Sequence, residues 1–188
     1  MSGRHDLYEQ LGADHRRVER LAGELELEPG RAGFDSVARR RLAHELIAAA
    51  SRHEAAEEMV LWPAVRRLVA DGDGLADAAL AQEREAKYVL DALRAAASDE
   101  SIVELAAQFA RATRAHISYE EDTVWPALRR STTRVANLVL GSKFMAARAV
   151  APTRPHPHGP DRRLGLATAG LATAALDRLR DGLIGRRP

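Results

Sequence analysis

The strongest constraint on this chain is a fifteen-residue stretch that occurs twice. His53-Glu54-Ala55-Ala56-Glu57-Glu58-Met59-Val60-Leu61-Trp62-Pro63-Ala64-Val65-Arg66-Arg67 returns 63 residues later as His116-Ile117-Ser118-Tyr119-Glu120-Glu121-Asp122-Thr123-Val124-Trp125-Pro126-Ala127-Leu128-Arg129-Arg130, with eight positions identical. In an α-helix residues i and i+4 lie on one face, one turn apart. His53 therefore points the same way as Glu57, and His116 the same way as Glu120. An imidazole nitrogen and a carboxylate oxygen on adjacent turns are donors that suit a first-row transition metal. One His-x-x-x-Glu arises readily by chance; two, inside a repeat that keeps the flanking Glu-x-x-x-Trp-Pro, do not.

A chain of 188 residues is long enough for one ordinary domain with an appendage. Ala, Leu, Arg and Glu dominate, all strong helix formers, and runs of β-branched and aromatic residues are missing, so an all-α fold is expected. There is no cysteine, which excludes disulfides, iron–sulfur clusters and thiolate zinc sites. The N-terminus is polar without an apolar signal core, and no apolar run approaches the roughly 20 residues of a membrane span, so a cytoplasmic protein is expected.

Four helical segments are predicted in order. The first, about residues 3–28, carries Leu7, Leu11, Val18, Leu21 and Leu25 at helical spacing, with His15 bordering the core, and stops at Pro29-Gly30. The second, about 34–69, presents Phe34, Val37, Leu42, Leu46, Ala49, His53 and Val60, and leaves His44 on the surface. Pro63 marks a kink or early end there. The third, about 75–97, shows Ala79, Glu83, Ala86, Leu90, Leu93 and Ala97, apolar except for Glu83. Ser98 to Ser101 connect and cap the fourth, which runs to about Arg130 with Ile102, Leu105, Phe109, Ala112, His116, Glu120, Thr123 and Ala127. Short connections between long amphipathic helices predict an antiparallel up-down-up-down four-helix bundle with a C-terminal helical extension. Antiparallel neighbours can then bring His15, the His53/Glu57 pair, Glu83 and the His116/Glu120 pair to one level. Burying these groups in an apolar core costs several kcal/mol without compensation, which a metal ion supplies.

On Asp14-His15, His53-x-x-x-Glu57-Glu58 with Trp62-Pro63, and His116-x-x-x-Glu120-Glu121 with Trp125-Pro126, the chain resembles the hemerythrin-like HHE cation-binding proteins over residues 5–130. The resemblance implies a four-helix bundle holding a non-haem pair of irons, oxo- or hydroxo-bridged. Carried over by position, it makes His15, His53, Glu57, His116 and Glu120 metal ligands. Members of the family usually add histidines from the third helix, which this chain lacks. Glu83 stands in their place, within Glu83-Arg84-Glu85-Ala86-Lys87, similar to a pattern in some members. That departure argues against reversible oxygen carriage, because the carrier site is histidine-rich. Tyr119 is read either as a donor beside the ligands or as packing. Glu54, Glu58 and Glu121 are read as bridging a metal, holding an imidazole, or solvated.

Residues 1–130 are thus read as the bundle and 131–188 as a basic extension. The extension holds ten Lys/Arg and three Asp, a charge of +7, against −6 for the remainder. Its charges are dispersed without interleaved aromatics, so no nucleic-acid partner is expected. Residues 131–150 either lengthen the fourth helix or lie back on the bundle. Pro152 to Pro160, with His156 and His158, reads as a spacer, and 162–184 as an amphipathic helix that docks on the bundle, a protein or a membrane surface. The expected function is reaction of a di-iron centre with dioxygen or peroxide, catalase-like in the latter case. The alternative is a module that senses iron, oxygen or nitric oxide without turnover.

Overall fold

The computed structural model describes residues 5–26 and 35–157. The Pro29-Gly30 stop, Phe34, His158 and the helix expected over 162–184 lie outside the described residues. Among those described, the chain is helical throughout its regular structure. The helices are α1 (Leu7–Glu26), α2 (Ser36–Ala56), α3 (Trp62–Leu68), α4 (Gly72–Ala95), α5 (Asp99–Tyr119), α6 (Trp125–Ser131) and α7 (Arg134–Val150). Side chains close the helix starts: Asp35 accepts the Ala38 N–H at 2.8 Å and Ser98 the Ser101 N–H at 3.2 Å, satisfying donors that a helix leaves unpaired.

Two hydrophobic clusters fill the bundle. One joins Leu21 and Leu25 late in α1 to Leu46 midway along α2, Leu90 and Leu93 late in α4, and Ile102 early and Phe109 midway along α5. The other joins Leu7 and Leu11 early in α1 to Leu61 and Val65 after α2, Ala76 and Ala79 early in α4, and Val124 and Leu128 after α5. The order in which each long helix meets the two clusters reverses from one helix to the next, so these helices run in alternating directions. His15, the His53/Glu57 pair, Glu83 and the His116/Glu120 pair all fall between the two clusters along their helices.

Pro63 does not end its segment, which stays helical to Leu68. A π turn, Glu57–Leu61, links α2 to α3, and a second, Glu120–Val124, links α5 to α6. Proline has no N–H for the carbonyl four residues back, and its ring clashes with that carbonyl in a regular turn. Widening the turn relieves the clash: the Trp62 N–H bonds to the Glu57 carbonyl and the Trp125 N–H to that of Glu120, five residues back in each case. The extra residue shifts the buried face beyond each turn. Leu61 and Val65 are fully buried where Val60 was expected, and Val124 and Leu128 are fully buried where Thr123 and Ala127 were expected. Thr123 is exposed and Val60 half-buried. Val37 is also exposed, because α2 turns Arg39, Ala43, Leu46 and Ile47 inward. Ala97 lies beyond the end of α4 and is exposed.

Residues 134–150 lie back on the bundle. Asn137 accepts the Leu7 N–H and donates to Asp6, both at 2.8 Å. Gly141 sits so close to the chain before α1 that a Cβ there would come 2.0 Å from the His5 carbonyl oxygen. Only glycine lets α7 approach this far, and Phe144 then enters the second cluster, fully buried.

Candidate metal centre

Six polar side chains occupy the layer between the two hydrophobic clusters: His15 from α1, His53 from α2, Glu57 from the first π turn, Glu83 from α4, His116 from α5 and Glu120 from the second π turn. None is more than 7 % exposed. They form two groups that share a member. In one, single donor atoms of His15, His53, Glu57 and Glu120 all lie within 4.8 Å of one another; in the other, those of Glu57, Glu83 and His116 do. The structure therefore brings together all six residues picked out from the sequence. Within the layer, His15 Nε2 is 3.0 Å from Glu120 Oε2, His53 Nε2 3.2 Å from Glu57 Oε1, and His116 Nε2 3.5 Å from Glu120 Oε1. Glu120 thus reaches one histidine with each oxygen.

All three imidazoles turn Nε2 inward and Nδ1 toward a polar neighbour. Nδ1 of His15 is 2.8 Å from Glu121, that of His116 3.2 Å from Gln82, and that of His53 3.6 Å from Asp14 Oδ2. For His15 and His116 an acceptor at Nδ1 places the ring proton there and leaves the Nε2 lone pair free for a cation, the usual arrangement around a metal-bound histidine. At 3.6 Å the Asp14 carboxylate is beyond hydrogen-bond distance of His53 and favours a proton on its Nδ1 through charge alone. Asp14 is bonded in turn by Arg148 of α7. Glu83 accepts the Trp62 indole N–H through Oε1, and Lys87 stands 3.7 Å from its other oxygen while also pairing with Glu58. Trp125 stacks on His15, with centroids 5.3 Å apart and planes at 19°.

Burial pushes the carboxyls of Glu57 and Glu83 well up, and the neighbouring carboxylates push Glu57 further. Burial acts on Glu120 too, but the facing imidazoles outweigh it and hold this group below the usual range. Burial lowers His53 and His116. It would lower His15 as well, but Glu120 and Glu121 more than offset it and raise that imidazole. Glu54, buried behind the layer, is pushed up to about 8.

A cation fits these residues. Nε2 of all three histidines, both oxygens of Glu57 and Glu120, and Glu83 Oε2 are buried without a hydrogen-bond partner. Buried polar atoms are rarely left so, and here they converge from separate helices onto shared points. The donor set, imidazole nitrogen plus carboxylate oxygen, is that of a transition-metal ion.

Sequence reasoning missed Gln82, Arg148 and the Trp62–Glu83 bond, because each joins residues from separate helices. Of the readings left open, Glu121 holds the His15 ring, Glu58 pairs with Lys87, and Tyr119 donates to the Leu75 carbonyl at 3.2 Å, away from the donor groups.

An all-helical bundle with an interior layer of histidines and glutamates defines a cation-binding helical protein. The hemerythrin HHE cation binding domain matches residues 6–131, and the chain belongs to that family. A crystal structure of a hemerythrin HHE cation binding domain-containing protein from Mycobacterium kansasii shares the fold. The TM-score is 0.62 at 23% identity, over 92% of this chain and 98% of that one. An uncharacterized hemerythrin-like protein of Schizosaccharomyces pombe is 25% identical over 133 residues, covering 70% of this chain and 66% of that protein's length, just under two thirds. Among the described residues no helix is long and apolar enough to cross a membrane.

Proposed function

We propose that the six-residue layer holds a pair of non-haem irons and that the protein reacts with dioxygen or peroxide, with catalase-like turnover of the latter. The carrying observation is that Glu57 belongs to both donor groups. On this reading His15, His53, Glu57 and Glu120 hold one ion and Glu57, Glu83 and His116 the other, with Glu57 shared and Glu120 spanning the histidines of both. Two divalent ions bring four positive charges against three carboxylates, so the layer needs only one more anion to be buried neutral. Iron, when bound, supplies a redox-active Lewis acid for a small oxidant. The chain's own residues fix the donors: Glu121, Asp14 and Gln82 aim the three imidazoles, Trp62 aims Glu83, and the flanking clusters of Leu, Val and Phe keep bulk water out. Dismutation of two peroxides to two waters and one dioxygen balances without any further reductant, because peroxide is both oxidised and reduced.

Metal analysis of the native protein, absorption between 300 and 400 nm, and oxygen release from added peroxide test this reading. Two irons per chain with oxygen release are expected. Two irons without release, but with spectral change on nitric oxide or dioxygen, would replace turnover by sensing. Absence of bound metal in the native protein would sink both.

A further inference from the structure

Helix α7 begins just beyond the segment that the family accounts for, yet it reaches the metal layer. Asn137, Gly141, Phe144 and Arg148 succeed one another at intervals of four, three and four residues, which places them on one face. Asn137 and Gly141 fasten that face to the start of α1. Phe144 meets the His53 ring edge-on, with centroids 6.1 Å apart and planes at 78°. Arg148 bonds Asp14 Oδ1, and the other oxygen of Asp14 stands 3.6 Å from His53 Nδ1.

Support for the three histidines is therefore unequal. His15 takes it from Glu121 and His116 from Gln82, both inside the matched segment. Asp14, which faces His53, is itself held from outside that segment. A short carboxylate turns readily about its side-chain bonds, and a guanidinium on one oxygen fixes where the other points. We propose that α7 is a working part of the metal centre, with Arg148 a positioning residue that acts through Asp14 to set the tautomer and ring angle of His53, and Phe144 a stop against the ring. The inference rests on the six-residue layer being a metal site.

Titration of the full-length, metal-free protein with cobalt(II) tests it, reading affinity and visible absorption at each step. Outer partners of metal-bound histidines typically change affinity about 10–100-fold. Arg148→Met keeps much of the side chain's bulk without its charge. It should weaken one of the two cobalt ions by about that factor and alter its spectrum, with the metal-free melting curve kept. Arg148→Lys should recover most of the loss. Asp14→Asn should match Arg148→Met, and the double variant should be no worse than Asp14→Asn alone, because the two act in series. Equal affinity for both ions in Arg148→Met and Asp14→Asn would overturn the inference. So would losses that multiply in the double variant, or a lowered melting temperature with affinity intact. Should Arg148→Met fail to fold, Asp14→Asn and Arg148→Lys decide alone: unchanged affinity in Asp14→Asn, or no difference between the two, overturns it. Failure of the wild-type protein to take up cobalt would instead count against the metal site itself.

Discussion

Trp62 donates its indole N–H to Glu83, so a tryptophan from the repeat holds a carboxylate on another helix. Its counterpart Trp125 stacks on His15 instead. The same position in the two copies thus steadies an oxygen donor in one case and a nitrogen donor in the other.

Glu83→Gln removes a charge but keeps a carbonyl oxygen for Trp62 to bond. Metal content is expected to fall from two ions per chain toward one, with an unchanged helical spectrum. Glu85, exposed on the opposite face of α4, should tolerate the same substitution without loss. Loss from Glu85→Gln alone would mean that the helix is rotated from the register described.

Glu57→Ala and Glu120→Ala should each lower metal content while circular dichroism stays helical. Glu57 belongs to both groups, so its removal should empty the layer more fully than removal of Glu83. Either alanine variant binding two ions as tightly as the wild type would refute the assignment.

The π turns lead to a sharper experiment. Each adds one residue to the helical path, and Met59, 37 % exposed, is the most exposed residue of the first. Deleting Met59 should restore an ordinary turn and rotate His53 and Glu57 by about 100° relative to Leu61 and Val65. The expected product is helical, less stable and unable to hold both ions. Normal metal binding by the deletion variant would show that the turn has no part in aiming the ligands.

Stability of the metal-free protein should fall with rising pH between about 6.5 and 8.5. Glu57, Glu83 and Glu54 keep protons in the folded state that the unfolded chain has already released, and His15 is raised in the same sense. The folded state then binds more protons, so raising the pH favours unfolding. His53 and His116, lowered by burial, oppose the trend only at the low end of this window, where the unfolded imidazoles still hold part of their protons, and not above it. Each group still protonated should lower the melting temperature by about 3–5 °C per pH unit. Metal uptake expels the same protons, so the loaded protein should be flatter. Calorimetric melting curves across the window check this; a flat metal-free profile would contradict it.

Truncation after Pro157 should leave metal binding intact, because all six proposed ligands and Arg148 precede it. Truncation after Thr133 should not, since it removes Phe144 and Arg148. Equal metal content in the two shortened proteins would show α7 to be dispensable.

What could be read from the sequence followed the regularity of the helices. In α1 and α4 an uninterrupted period placed His15 and Glu83 among Leu11, Val18, Ala79 and Ala86, as the structure has them. Beyond Glu57 and Glu120 the same period failed, because a π turn shifts the phase and a regular helix was assumed. The ligand candidates themselves all lie at or before these turns, which is why they were legible while Val60 and Thr123 were misplaced. The bonds that aim the candidate ligands, Glu121 to His15 and Gln82 to His116, depend on how helices face one another, and a one-dimensional period carries no such information.

The duplicated stretch is nearly symmetrical in sequence, but the chamber built on it is not. On the proposed assignment one position draws on two imidazoles and the other on one, with carboxylates making up the difference. Imidazole favours iron and its later neighbours, whereas carboxylate is more at home with manganese. If two ions bind as proposed, the two positions would differ in affinity, and the ions would load in order rather than together.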